Sequence, residues 1–205
     1  MPHAAPQNSP SARNASALSE LAARATDGDV GAMGALLKAV SPWMIRSAQQ
    51  LLGSSHADLD DVVQQSLIGL VQALPAFRQE CSVVHFACRI VVRTAVASRR
   101  RAFARADRHD ESVDVDSLPR DQELGDGVDA ERRRALVRGL LSRLPEEQAE
   151  TLALRIVLGF SLEEVAEATG VPLNTVRSRV RLAKTALRRR IEADPLLLEA
   201  LEVES

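Results

Sequence analysis

The chain has no tyrosine, a single tryptophan and four phenylalanines among its 205 residues, so any interior it forms is packed mainly by Leu, Val, Ile and Ala. Such a composition favours helices, because strands draw heavily on aromatic residues. Cysteine is also scarce. Cys81 and Cys88 are the only two, which excludes a disulfide framework and suits a reducing compartment. No run approaches the roughly 18 apolar residues of a membrane span. The opening MPHAAPQNSPSARNASA has neither the basic n-region nor the apolar h-region of a secretory signal. A cytoplasmic protein with no membrane insertion is expected. The four histidines and scattered carboxylates show no nucleophile–base spacing, and no glycine-rich phosphate loop is present. Neither an enzyme activity nor a cofactor is expected.

What is present is charge, distributed unevenly. Residues 1–106 carry 11 Lys and Arg against 7 Asp and Glu, residues 107–131 carry 2 against 10, and residues 132–205 carry 13 against 11. Two basic bodies therefore flank an acidic strip, and the formal net charge of -2 conceals both. The strip, DRHDESVDVDSLPRDQELGDGVDAE, includes Pro119, Gly125 and Gly127 and has no sustained apolar period, so it reads as a flexible linker. The first sixteen residues are expected to be disordered.

Both bodies carry helical periodicity and neither shows strand alternation. In the N-terminal body a first helical stretch is interrupted near Asp27 to Gly31 and again at Pro42, and stops at Gly53. The next, DLDDVVQQSLIGLVQALPAF, starts with acids suited to a helix N-terminus and sets Val63, Leu67, Leu70 and Leu74 at helical steps. After the short loop RQECS, a third helix is predicted from about Val83 to Arg101. In the C-terminal body two short helices meet at Pro145. Ser161 and Glu164 then stand at capping-box spacing, the helix they open ends at Gly170, and Pro172 suits the first turn of another. This is the pattern of a helix-turn-helix. On its second helix Val176, Val180, Ala183, Leu187 and Ile191 form an apolar stripe, leaving Asn174, Thr175, Arg177, Ser178, Arg181 and Lys184 on the other side.

A basic amphipathic helix is often only a soluble surface. From Gly170 to Arg190, however, there are seven basic side chains and no acidic one, whereas solvated helices usually mix signs. A helix of this kind fits a major groove, with its N-terminal polar residues at base edges and its later cations at phosphates.

Two separate segments resemble one family. DLDDVVQQSLIGLVQALPAFR resembles region 2.2 of bacterial sigma-70-type sigma factors, and LPEEQAETLALRIVLGFSLEEVAEATGVPLNTVRSRVRLAKTALRRR resembles their region 4. Their order, with only a short linker between, is similar to the extracytoplasmic-function (ECF) group. The resemblance implies an all-α protein of two small helical domains: a tail (1–16), region 2 (17–102), an acidic linker (103–131), region 4 (132–191) and a C-terminal tail (192–205). It also implies a sigma factor that binds core RNA polymerase and directs promoter-specific initiation. The alternative is a helix-turn-helix regulator without sigma activity, which leaves the N-terminal body unexplained.

By that resemblance Asp58, Asp60, Asp61, Gln64 and Gln65 would bind the polymerase, region 2 docking on the beta-prime clamp helices and region 4 on the beta flap. Gly69 and Val71 depart from the Arg and Trp common in the family. The loop residues Arg78, Gln79, Glu80, Cys81 and Ser82 would capture a flipped -10 base, and Arg89, Arg93, Arg99, Arg100 and Arg101 would hold the single strand. Phe86 and Cys88 stand where the family commonly has Trp and Tyr. Asn174, Thr175, Arg177, Ser178, Arg179, Arg181 and Lys184 would engage the -35 duplex, with Arg188 to Arg190 adding unspecific attraction. The linker would thread polymerase channels lined for nucleic acid, and an anti-sigma factor would be a further partner. Cys81, His85 and Cys88 lie at spacings of four and three, but they offer only three ligands, with Cys81 in the loop. No metal site is expected.

Overall fold

The structure, a computed structural model, describes residues 12–108, 139–141 and 143–193. The N-terminal body is four helices: α1 (Ala12–Thr26), α2 (Val30–Leu52), α3 (Leu59–Ala73), which runs into a 3-10 turn at Leu74–Ala76, and α4 (Val83–Arg108). The C-terminal body has α5 (Glu146–Leu152), a π turn (Ala153–Val157), α6 (Leu162–Thr169) and α7 (Leu173–Ala193). Among the described residues there is no strand, as the composition predicts. Residues 1–11, the acidic linker from 109 on, 132–138, 142 and the C-terminal tail from 194 lie outside the described residues.

α1 and α2 separate where expected. Gly28 turns the chain at φ 93°, and Asp29 caps α2 by accepting from the Ala32 N–H at 2.9 Å. That hydrogen bond, and then the Arg24 guanidinium at 2.6 Å, hold the Asp29 carboxyl below its usual range. Two expectations need correction. α1 begins at Ala12, inside the tail expected to be disordered. Pro42 does not break α2, which runs through it to Leu52. Proline withholds one donor from the helix ladder, but Val40 and Met44 on either side of it are fully buried, and the Ser41 hydroxyl donates to the Leu37 carbonyl at 2.6 Å. Packing outweighs the local penalty.

The buried face of α3 also differs from the expected stripe. Val62, Ser66, Leu70 and Leu74 are its buried residues, while Val63 and Leu67 are only partly covered. A serine at the centre is tolerated because its hydroxyl donates to the Val62 carbonyl at 2.6 Å. Gly69 faces α4 so closely that a Cβ there would lie 3.2 Å from Cγ2 of Ile90. α4 supplies Val84, Ala87, Cys88, Val91, Val92 and Ala95 to the interior. It continues past Arg101 to Arg108, since SRRRAFARADR contains good helix formers and no Gly or Pro.

The two domains share one apolar core, and Phe160, Leu154 and Leu158 of the C-terminal domain belong to the same cluster as Val84 and Val91. Within the described residues no buried side-chain nitrogen or oxygen lacks a partner.

Candidate nucleic-acid interface

The helix-turn-helix forms as its sequence predicts. Ser161 Oγ accepts from the Glu164 N–H at 3.0 Å, and the Glu164 carboxylate accepts from the Ser161 N–H at 2.7 Å, a reciprocal cap. Gly170 ends α6 in the left-handed region at φ 67°, where a residue without Cβ is unstrained. Pro172 precedes α7 rather than opening it. Its carbonyl accepts from the N–H groups of Thr175 and Val176 at 2.8 and 3.1 Å. Val176 and Ala183 are fully buried, which turns Asn174, Arg177, Ser178, Arg181 and Lys184 out to solvent. Arg177 donates to Asn174 Oδ1 at 3.3 Å, so the two side chains expected at base edges brace each other. Thr175 is half-buried. Arg179 is placed differently from these: its side chain is 17% exposed and turned back onto Glu147 of α5 at 2.5 Å, because at its register it lies beside the flank of the stripe that packs on α5.

The loop before α4 contains the only non-glycine at positive φ among the described residues, Gln79 at 58°. Arg78, Gln79 and Glu80 are exposed, and Cys81 and Ser82 are half-buried. Ser82 serves the backbone, accepting from the His85 N–H at 3.1 Å. Burial, and next the charge of Glu167, push the Cys81 thiol up to about 11, so it stays protonated and a poor nucleophile. Under the loop the rings of Phe77 and Phe86 lie 4.6 Å apart. Phe77 was not among the residues singled out from the sequence, yet it completes an aromatic pair with Phe86.

Along α4 the five arginines expected to hold the strand part ways. Arg93 is exposed. Arg101 donates to the Ala97 carbonyl at 3.3 Å and Arg99 to the Leu51 carbonyl at 3.5 Å. Arg89 Nε donates to Glu150 Oε1 at 2.8 Å, and Arg100 Nη1 lies 3.9 Å from Glu146 Oε2. Both acids belong to α5, so arginines expected to hold a DNA strand face the other domain. His85 is buried, its ring centroid 4.3 Å from that of Phe160 and its Nε2 3.7 Å from Glu164 Oε1. Burial lowers its pKa, against the opposing pull of Glu164 and Glu167. Cys88 lies elsewhere, accepting from the Ser47 hydroxyl at 3.3 Å, and burial pushes its thiol up to about 11. Cys81, His85 and Cys88 do not converge, and among the described residues no group of His, Cys, Asp and Glu is arranged to hold a metal ion.

On α3 the side chains of Asp60, Asp61, Gln64 and Gln65 are exposed. Ile68, 50% exposed, and Val71, 38% exposed, extend that edge as an apolar strip, which the sequence reading did not include. Asp58 departs from the group. It precedes the helix without capping it, is half-buried, and has its carboxylate 3.5 Å from the Ser98 hydroxyl of α4.

A capped helix-turn-helix whose second helix is free of acids from Leu173 to Arg190, joined to a helical domain with its own arginine row and amide-rich edge, marks a DNA-binding transcription factor. Residues 36–105 match the family model for Sigma-70 region 2 and residues 134–187 that for Sigma-70, region 4. The chain is 30% identical over 146 residues to the ECF RNA polymerase sigma-E factor of Salmonella typhimurium, covering 66% of this chain and 74% of that protein. It is 29% identical over 175 residues to the ECF RNA polymerase sigma factor ShbA of Streptomyces griseus, covering 80% and 90%. In fold it is similar to CnrH, solved in complex with the cytosolic domain of CnrY, with a TM-score of 0.52, 24% identity, and coverage of 87% of this chain and 99% of that one. The chain belongs to the sigma-70 family, in the ECF group. It is a sigma factor, a regulatory DNA-binding protein that directs transcription initiation. No described helix is long and apolar enough to cross a membrane.

Proposed function

We propose that the two domains divide promoter recognition between them, with α7 reading the -35 duplex. The observation that carries this is the outer face of α7, where Asn174, Arg177, Ser178, Arg181 and Lys184 are exposed with no acid between them. The Arg177–Asn174 contact pre-orients a guanidinium suited to bidentate base readout. Arg188 to Arg190, exposed on the same helix, supply salt-sensitive phosphate attraction. Arg179 contributes to -35 binding only after it leaves Glu147.

α4 and its loop take the -10 strand. Arg78, Gln79 and Glu80 border the base-capture site, Cys81 and Ser82 shape it, and the Phe77–Phe86 pair is a stacking surface. Arg93, with Arg89, Arg99, Arg100 and Arg101, holds the backbone. The α3 edge of Asp60, Asp61, Gln64 and Gln65, extended by Ile68 and Val71, meets the beta-prime clamp helices of core polymerase, and region 4 meets the beta flap. Asp58 acts by fixing the start of α3 against α4. RNA synthesis is the polymerase's own, with no catalytic group or cofactor contributed by this chain, and the work is cytoplasmic. A partner of the anti-sigma class fits these same surfaces.

The test is transcription in vitro with purified core polymerase on promoter fragments selected by mapping start sites after overexpression. Start-site-specific transcripts that disappear with Arg177→Ala while core binding persists are expected. Equal losses in both assays would sink the assignment of α7.

A further inference from the structure

Charge lines the contact between the two domains. On α4, Arg89, Arg93 and Arg100 lie on one side of the helix, at steps of four and seven. On α5, Glu146 and Glu150 stand four apart, also on one side. Glu150 accepts from Arg89 at 2.8 Å, with side chains only 10% and 26% exposed, and Glu146 lies 3.9 Å from Arg100. Glu147, between them in sequence, holds Arg179 of the recognition helix. Every acid of α5 is thus paired with an arginine assigned to DNA. The helix dipole accounts for Glu146 and Glu147 in the first turn. It does not account for Glu150, which lies beyond that turn and is buried.

A carboxylate and a phosphate present similar oxyanions to a guanidinium. Residues four apart on a helix are separated by about 6 Å along the axis, close to the roughly 7 Å between every second phosphate of a stacked strand. We propose that the acidic side of α5 is an internal stand-in for the -10 strand: while region 4 is docked on region 2, Glu146 and Glu150 occupy the arginines that would hold the strand, and the sigma factor inhibits its own DNA binding. This rests on the reading above that the α4 arginines hold that strand. Arg89 Nε cannot serve Glu150 and a phosphate at once, so full engagement of Arg89 by the strand requires α5 to withdraw. His85 lies in the same seam, its ring tilted against Phe160 and its Nε2 facing Glu164. Docking and strand binding then exclude one another, and each weakens the other by the same factor.

The experiment compares the full chain with its E146Q/E150Q variant in two measurements: anisotropy of a fluorescein-labelled single-stranded oligo(dT) of roughly 16 nucleotides, and the radius of gyration by small-angle X-ray scattering. Binding about tenfold tighter, within the usual range of coupling between competing ligands, together with a larger radius, is expected. Adding Arg100→Ala, which removes the arginine that Glu146 occupies, should take away much of that gain. Glu146→Gln alone, at an exposed position, should shift both readouts in the same direction by less, which guards against misfolding of the double variant. If neither readout moves while Arg93→Ala still weakens oligonucleotide binding, the docked inhibition is wrong and the strand track stands. If the radius grows without any gain in affinity, the inhibition fails along with the strand track.

Discussion

α4 and α7 are both arginine-rich helices on a helical domain, yet they hold their cations in opposite states. On α7 the outward residues face solvent, and apart from Arg179 they meet no acid in any described ion pair. On α4, Arg89 and Arg100 are committed to carboxylates of the other domain and Arg99 and Arg101 donate to backbone carbonyls, while Arg93 is exposed. The contrast follows from neighbours rather than composition. α7 forms an outer wall of its domain, whereas α4 is the surface on which the C-terminal domain sits. An arginine row thus becomes an open cationic face or a seam depending on what is packed over it.

The largest effect that would break this contrast is at the seam. Arg89→Ala leaves Glu150 buried without its charge partner and should destabilise the protein by about 2 kcal/mol in urea denaturation. Arg181→Ala, on the exposed face of α7, should change stability by less than about 0.5 kcal/mol. Equal costs would mean that the Arg89–Glu150 pair is not a structural contact. Next in size, Arg177→Ala should lower promoter-specific initiation by about tenfold, the usual worth of one good base contact, with core binding unchanged in a pull-down. Gly170→Ala sharpens the comparison from the reader's side. At φ 67°, with nothing within 4 Å of an added Cβ, its cost is backbone strain alone, about 1 kcal/mol, seen as a lower melting temperature.

The smallest effect is a pH dependence. Burial holds the folded-state pKa of His85 below its ordinary 6.5 despite Glu164 and Glu167. Below that value the unfolded chain binds a proton that the folded one resists, so stability is full above about pH 6.5 and declines as the pH falls toward the lowered value. Unfolding measured at about pH 7.5 and pH 5.5 should show that decline, and His85→Gln should reduce it. An unchanged slope in the variant would assign the dependence to other groups.

The reader was more legible in the sequence than the seam. Ser161, Glu164, Gly170 and the apolar stripe of α7 act within about thirty residues, and short-range rules of capping and period specify them. The all-α class and the break at Asp27 to Gly31 were legible for the same reason. Long-range facts were not. Pro42 reads as a break until Val40 and Met44 are seen to be buried around it. Ser66 reads as polar until its hydroxyl is found on the Val62 carbonyl. The pairing of Arg179 and Arg89 inside the protein was not legible, because their partners, Glu147 and Glu150, lie 32 and 61 residues away in sequence. A signal was present nonetheless: Glu150 follows the first turn of a helix that already has its dipole served, at a position turned toward the core.

The missing side chain at Gly69 has a mechanical consequence. With α3 and α4 so close that a methyl group would press on Ile90, the edge proposed to meet polymerase and the helix proposed to hold DNA have no slack between them. Close-packed interiors transmit displacement rather than absorb it. On the roles proposed above, docking at α3 would set the bearing of α4 directly, and the protein would arrive at the promoter with that helix already aimed by the polymerase.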